Sequence, residues 1–309
     1  MIKIINSKEE DSEFGREWFD AQYSEAFVDV SKAVERPETI ISIGRHLSKG
    51  VWRDTEVMTA GEFSVISAPS KSKKSFFKSQ LCASYIGGNA NEYFREIKGH
   101  RKGDAVIIDC DTEQSEFYSH RTFKRIEKIT GFSYQGYLPF KMRHMETEQR
   151  VAFIDQLIER YRDKVKLVFI DGIADLINDT NDLVLSNYIA GKLLRWTDKY
   201  KVHICIVIHN AYGMNKPTGH LGSAVVKKAE TVFQLSIDKE KTPDVVKVTH
   251  QYSRGRSFED FYFKVNEDSL IQECDINGDF HNTLAINEKP IPTATPSQAF
   301  GKPKNDVPF

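Results

Sequence analysis

Phe63–Phe77 reads F-S-V-I-S-A-P-S-K-S-K-K-S-F-F. Phe63, Val65 and Ile66 are apolar and strand-prone, and the chain then turns through small residues and Pro69. It ends in Lys74-Ser75, followed by an apolar helical run with Phe76, Phe77, Leu81, Ala83, Tyr85 and Ile86. Strand, small-residue loop, Lys-Ser and helix are the layout of a phosphate-binding loop. Backbone N–H groups face the anion, a helix N-terminus points at it, a lysine meets the terminal phosphates and a hydroxyl meets Mg²⁺. The usual pattern, G-x-x-x-x-G-K-[ST], has glycine where this chain has Ala68 and Lys73. The second glycine normally leaves the backbone unhindered as it curls round the phosphate. Ser70, Lys71, Ser72 and Lys73 fill the loop instead, and the added lysines bring positive charge. Taken alone, the stretch reads equally well as a surface turn between a strand and a helix.

Three later stretches decide between these readings. Ala105–Ile108 is wholly apolar, as in a strand buried on both faces, and is followed by Asp109, Asp111 and Glu113. Val165–Asp171 is a second such strand ending in an acid, and Val202–His209 a third, ending in His209-Asn210. Helical patterns over 115–129, 146–162 and 183–200 separate them. This alternation predicts an α/β fold: a mainly parallel sheet flanked by helices, with right-handed crossovers. Thr231–Ile237, Val245–Tyr252 and Phe261–Val265 are further strands, the last of them forming an antiparallel C-terminal extension, with Ser253-Arg254-Gly255-Arg256 as a hairpin turn. On such a sheet Lys74, Glu113, Asp171 and His209 converge at one edge, where open α/β sheets place their chemistry.

The remainder is less specific. A chain of 309 residues with net charge −1 holds one large domain plus appendages, and bulk charge gives no argument for nucleic acid. Cys82, Cys110, Cys205 and Cys274 are scattered, without metal-ligand spacing, and read as buried thiols of a cytoplasmic protein. No stretch reads as a membrane span. Residues 13–36 read as an amphipathic helix ended by Pro37, packed either on its own domain or on a neighbouring subunit. Residues 39–60 hold short strands, residues 89–103 form a polar connector, and residues 132–145 are irregular. The expected division is an N-terminal arm over 1–50, a main domain over 51–287 and a Pro-rich disordered tail over 288–309.

The order of the phosphate loop, D-T-E, apolar-Asp, I-H-N, G-H-L-G and S-R-G-R resembles the RecA-type ATPase core. It is most similar to the RepA-like and DnaB-like replicative helicase ATPases of plasmids, phages and mobile elements, in a branch with a Lys-rich loop. The resemblance covers residues 50 to 270. It implies ATP and Mg²⁺ as cofactors: Ala68 to Ser75 wrap the phosphates, Lys74 meets the β/γ-phosphates, and Ser75 and Asp171 hold Mg²⁺. Glu113 is then the general base, His209 the γ-phosphate sensor, and Arg254 a finger reaching a neighbouring subunit, with Arg256 as fallback. The resemblance further implies a ring or filament on single-stranded DNA. Lys216 and His220 in the loop 211–222, with Lys227 and Lys228, would be the DNA contacts. Each residue also has a plain reading: Glu113 as a helix N-terminal acid, His209 as a core histidine, Arg254 as a hairpin tip, and the loop as solvated.

The chain ends A-F-G-K-P-K-N-D-V-P-F, which is similar to the C-terminal tip of bacterial single-stranded-DNA-binding proteins. That likeness implies a docking tip of Asp306, Pro308 and Phe309 for replication proteins. The expected function is a Mg²⁺-dependent ATPase acting on DNA in replication or recombination. The alternatives are a nucleotide-binding switch, or an accessory or loader protein with weak hydrolysis.

Overall fold

The structure is a computed structural model and describes residues 14–280; the tail with Asp306, Pro308 and Phe309 lies outside these residues. The chain divides into two units, one ending at Pro37 and one beginning at Glu38.

The first unit contains helix α1 (Arg16–Ala26). Its aromatic residues contact one another: Phe14 meets Trp18 edge-on at 4.9 Å, and Tyr23 stacks on Phe27 at 6.0 Å. The helix stops well before Pro37, contrary to the sequence expectation. Phe27 is extended, and the Asp29 carboxylate accepts hydrogen bonds from the Ser31 backbone at 3.0 Å and its hydroxyl at 2.6 Å. Such a local turn competes with helix propagation.

The second unit runs β1 (Thr39–Ser48), β2 (Val51–Thr59), β3 (Phe63–Ala68), α2 (Lys74–Ile86), α3 (Ala90–Tyr93), β4 (Ile97–Gly99), β5 (Val106–Asp111) and α4 (Glu116–Thr130). It continues β6 (Tyr137–Lys141), α5 (Thr147–Arg160), β7 (Val165–Asp171), a 3₁₀ turn (Ile173–Leu176), α6 (Leu183–Tyr200), β8 (His203–His209) and α7 (Gly219–Val226). Strands β9 (Thr231–Ile237), β10 (Val246–Ser253), β11 (Phe261–Val265) and β12 (Ile271–Cys274) close it. The main sheet has the order β12-β11-β10-β9-β3-β8-β7-β5-β6. It is parallel from β9 to β6 and antiparallel from β9 to β12, as the sequence predicts.

Strand alternation feeds two cores. Leu167, Phe169, Cys205 and Val207 face α2 and α4, together with Phe77 and Leu81. Val168, Ile170, Ile204, Ile206 and Ile208 face α5, α6 and α7, together with Ile154, Leu193 and Val225. All four cysteines are buried and free.

Three elements differ from expectation. The irregular stretch holds β6, an edge strand whose Pro139 has no N–H to donate, so periodicity does not mark it. The polar connector holds α3 and β4. Strand β1 pairs with both β2 and β4 in a separate three-stranded sheet, so it belongs to the unit beginning at Glu38 and not to an arm ending at residue 50.

Candidate functional site

Parallel register brings four strand ends together. Ala68 lies opposite His209, Asp171 opposite Val207, and Asp111 opposite Asp171. The loop after β3, the end of β8, the end of β7 and the turn after β5 therefore share one edge. This is the convergence of Lys74, Glu113, Asp171 and His209 expected from sequence.

The loop keeps its curl without glycine. Lys73, in the second glycine position, is left-handed at φ 62°, ψ 25°, and Lys71 is left-handed at φ 63°. An L-residue there costs roughly 1–2 kcal/mol relative to the right-handed region. Lys73 sits immediately before α2, and its ammonium lies 5.7 Å from the Phe76 ring centroid.

Lys74, buried at the head of α2, donates to Pro69 O at 3.0 Å and contacts Ala68 O at 3.4 Å and His209 Nδ1 at 2.9 Å. Burial pushes its pKa down, against the pull of the Asp171 and Glu113 carboxylates. An ammonium only donates, so Nδ1 of His209 is the acceptor and Nε2 carries the proton, an assignment made from partners. Nε2 faces Glu113 Oε1 at 3.5 Å. The hydrogen bond from His209 is the main cause that holds the Glu113 carboxyl below its usual range, and it outweighs partial burial. Lys74, His209 and Glu113 thus form one polar chain across the edge. Ser70 Oγ also approaches His209 Nδ1, at 3.3 Å.

Two local devices hold Glu113 at the mouth of this edge. The Asp111 carboxylate accepts from the backbone of Glu113 at 3.1 Å and of Gln114 at 2.9 Å, and from Ser119 Oγ at 2.9 Å. Thr112 Oγ1 donates to Asp175 at 2.6 Å and contacts Asp171 O at 2.9 Å. Gly172 is left-handed at φ +105°, and a Cβ there would lie 2.1 Å from Thr112 Oγ1, so only glycine fits.

Asp171 fits the role of a metal ligand. It is 8% exposed, and its Oδ2 has no hydrogen-bond partner among the described residues. A hard cation carried with a phosphate would satisfy that oxygen. Ser75, next to Lys74 in the first turn of α2, is the hydroxyl the same cation would use.

Sequence reasoning missed Lys78, one turn after Lys74. It is fully buried, 2.7 Å from Asp109 Oδ1 and 3.4 Å from Asp171 Oδ2. Tyr137 donates to the other Asp109 oxygen at 2.8 Å. Burial opposes the charged lysine, but Asp109 and Asp171 outweigh it and raise its pKa. The available signal was Asp109, an acid inside an apolar strand, where an unpaired charge is not tolerated. Asn210 was also missed as a site residue. Its carboxamide accepts from Ser67 Oγ, and its Nδ2 is buried without a partner among the described residues.

Arg254 is not at this edge. Its guanidinium donates to Glu62 Oε1 at 2.8 Å and to Lys228 O at 2.7 Å, and its N–H donates to Glu230 O at 2.9 Å. Glu62 and Glu230 precede β3 and β9, which places Arg254 at the opposite end of the parallel strands. Lys216, Lys227 and Arg254 line a groove of about 500 Å³. Lys216, His220 and Lys227 are exposed, and Lys228 is half-buried. Tyr212, in the same loop, is fully exposed and was not singled out from sequence.

A family model described as an AAA domain matches residues 45–213, more than half of the chain and all four converging strand ends. The chain belongs to that family. The AAA-domain match and the sheet order together give a RecA-type P-loop ATPase core. The matched segment stops short of Lys216, Lys227 and Arg254. Among solved structures, a KaiC-like protein from the hyperthermophilic archaeon Pyrococcus horikoshii OT3 aligns with a TM-score of 0.49 at 11% identity, covering 71% of this chain and 94% of that chain. No curated protein matches this AAA-domain chain.

Proposed function

We propose that this AAA-domain protein is a Mg²⁺-dependent ATPase of the RepA-like or DnaB-like kind. It acts in the cytoplasm as a ring or filament on single-stranded DNA, in replication or recombination of a phage, plasmid or mobile element. The observation that carries the catalytic part is the Lys74–His209–Glu113 chain, built at one sheet edge from three separate elements.

In this reading the loop from Ala68 to Ser75 wraps the phosphates and Lys74 exchanges its carbonyl partners for the β/γ-phosphates. Ser75 and Asp171 hold Mg²⁺, which supplies positive charge against the charge developing on phosphate oxygens. Glu113 is ionised at neutral pH, as His209 holds its carboxyl below an already acidic range, and its place beside His209 at the sheet edge lets it take the proton of an attacking water. His209 touches both Lys74 and Glu113, and the next residue opens the loop that carries Tyr212 and Lys216. A change in Lys74's partner therefore reaches that loop through one side chain. Exposed Lys216, His220, Lys227 and Tyr212 suit phosphate contact and base stacking, and Lys228 lies beside them. Arg254 acts in a neighbouring copy's site, and the tip with Asp306, Pro308 and Phe309 recruits replication proteins. No helix among the described residues is long and apolar enough to cross a membrane.

The loop's two left-handed lysines favour one second reading, a nucleotide switch with slow turnover. ATP turnover with and without single-stranded DNA separates the two. The motor reading expects DNA-stimulated turnover in the wild type and, in Glu113→Gln, a loss of at least ~100-fold with nucleotide binding retained. Tight binding with negligible wild-type turnover supports the switch. Turnover indifferent to DNA removes the DNA assignment.

A further inference from the structure

Lys78 has no part in the roles assigned above, yet it is a fully buried charge at the site. Its ammonium stands between two carboxylates, 2.7 Å from Asp109 and 3.4 Å from Asp171. Asp109 is itself fully buried, and its second oxygen is taken by Tyr137 at 2.8 Å. The Asp171 oxygen facing Lys78 is buried and has no hydrogen-bond partner among the described residues. Lys78 is therefore anchored on Asp109 and meets Asp171 by charge alone.

We propose that Lys78 is a built-in counter-cation, a positioning residue that occupies the divalent-cation side of Asp171 until nucleotide arrives. This rests on the assignment of Asp171 as the Mg²⁺ ligand. Two buried carboxylates without the ammonium would make an attractive hard-cation site, since burial of unpaired charge is costly and oxygen ligands suit such ions. With the ammonium present, one of those charges is neutralised and its partner is half-satisfied. A free divalent cation gains little by entering, whereas a cation delivered with phosphate oxygens brings its own ligands. The bond to Asp109 keeps Lys78 at the site when a phosphate-borne cation takes over the Asp171 oxygen.

The test is Mn²⁺ binding to nucleotide-free full-length protein, read by the electron paramagnetic resonance of free Mn²⁺. Lys78→Met should bind Mn²⁺ at least tenfold more tightly than the wild type, and Lys78→Met/Asp171→Asn should lose that gain. Equal Mn²⁺ binding in wild type and Lys78→Met overturns the proposal. If Lys78→Met melts early, Mn²⁺ should restore its melting temperature, because a ligand of the folded state alone stabilises it; a melt that Mn²⁺ does not move overturns the proposal as well. Wild-type binding of a fluorescent ATP analogue, measured in parallel, tests the nucleotide-site reading separately. Its absence would remove that reading whatever the Mn²⁺ result.

Discussion

Lys73 shows what a single residue contributes to this site. It holds the left-handed conformation at the position where the phosphate-loop pattern has glycine, and its ammonium lies over the Phe76 ring. A β-branched side chain is worse there than lysine, while glycine removes the strain and adds unfolded-state entropy of comparable size. Lys73→Val should therefore be less stable than Lys73→Gly by at least about 1 kcal/mol in denaturant melts. Equal stabilities would mean that the loop is not left-handed at this position. His203 makes a second residue-scale case. It is buried, donates from Nδ1 to Thr59 O at 2.8 Å, and meets Ser64 Oγ at 2.9 Å. Burial lowers its pKa to about 4, so the folded state keeps it neutral while the unfolded chain protonates it near 6.5. Its contribution is fully present above pH 6.5 and is lost as pH falls toward 4, by roughly 3 kcal/mol in all. Glu230, 3.8 Å away, has its pKa raised by burial and works in the opposite sense. Melting of Glu230→Gln at pH 7.5, 6 and 5 isolates the histidine, and a flat profile would contradict the assignment.

At the scale of elements, α2 is the part that ties the site to the rest of the fold. It carries Lys74 and Lys78 toward the sheet edge, and between them Phe77 meets Phe233 at 5.6 Å, Phe261 at 6.0 Å and Phe263 at 6.1 Å. The antiparallel extension is thus clamped directly onto the phosphate-loop helix. Phe77→Ala should cost about 3–5 kcal/mol of stability by chemical denaturation. A loss below about 1 kcal/mol would show that the cluster does not hold the extension. This element also marks what a sequence discloses and what it does not. Strands β5, β7 and β8 were legible because burial on both faces makes them continuous apolar runs. Strands β4, β6 and β12 were not, because they are short, lie at or near sheet edges and mix polar with apolar residues. Lys74, Glu113, Asp171 and His209 were legible by their places at strand ends. Lys78 was hidden because, along the helix, it reads as a polar interruption, and its partner Asp109 lies on a distant strand.

Across the whole molecule, the Lys74 edge and Arg254 lie at opposite ends of the parallel strands. Within one chain Arg254 is held by Glu62 and the Lys228 carbonyl, so it cannot serve the Lys74 site of its own copy without large rearrangement. If it completes a neighbour's site, Arg254→Ala should lower turnover by ~100-fold or more. Mixing it with Lys74→Ala protein should then restore part of the activity, since some interfaces pair an intact site with an intact arginine. No recovery at any mixing ratio would count against a shared site. At the centre of this reading, a glycine-free loop still makes a nucleotide site. Calorimetric titration of ATP with Mg²⁺ into wild type and Lys74→Ala measures it most directly. The expected result is one ATP bound per wild-type chain and at least tenfold weaker binding in a folded Lys74→Ala variant. Wild-type protein that binds no ATP, or a Lys74→Ala variant that binds it equally well, would contradict the account.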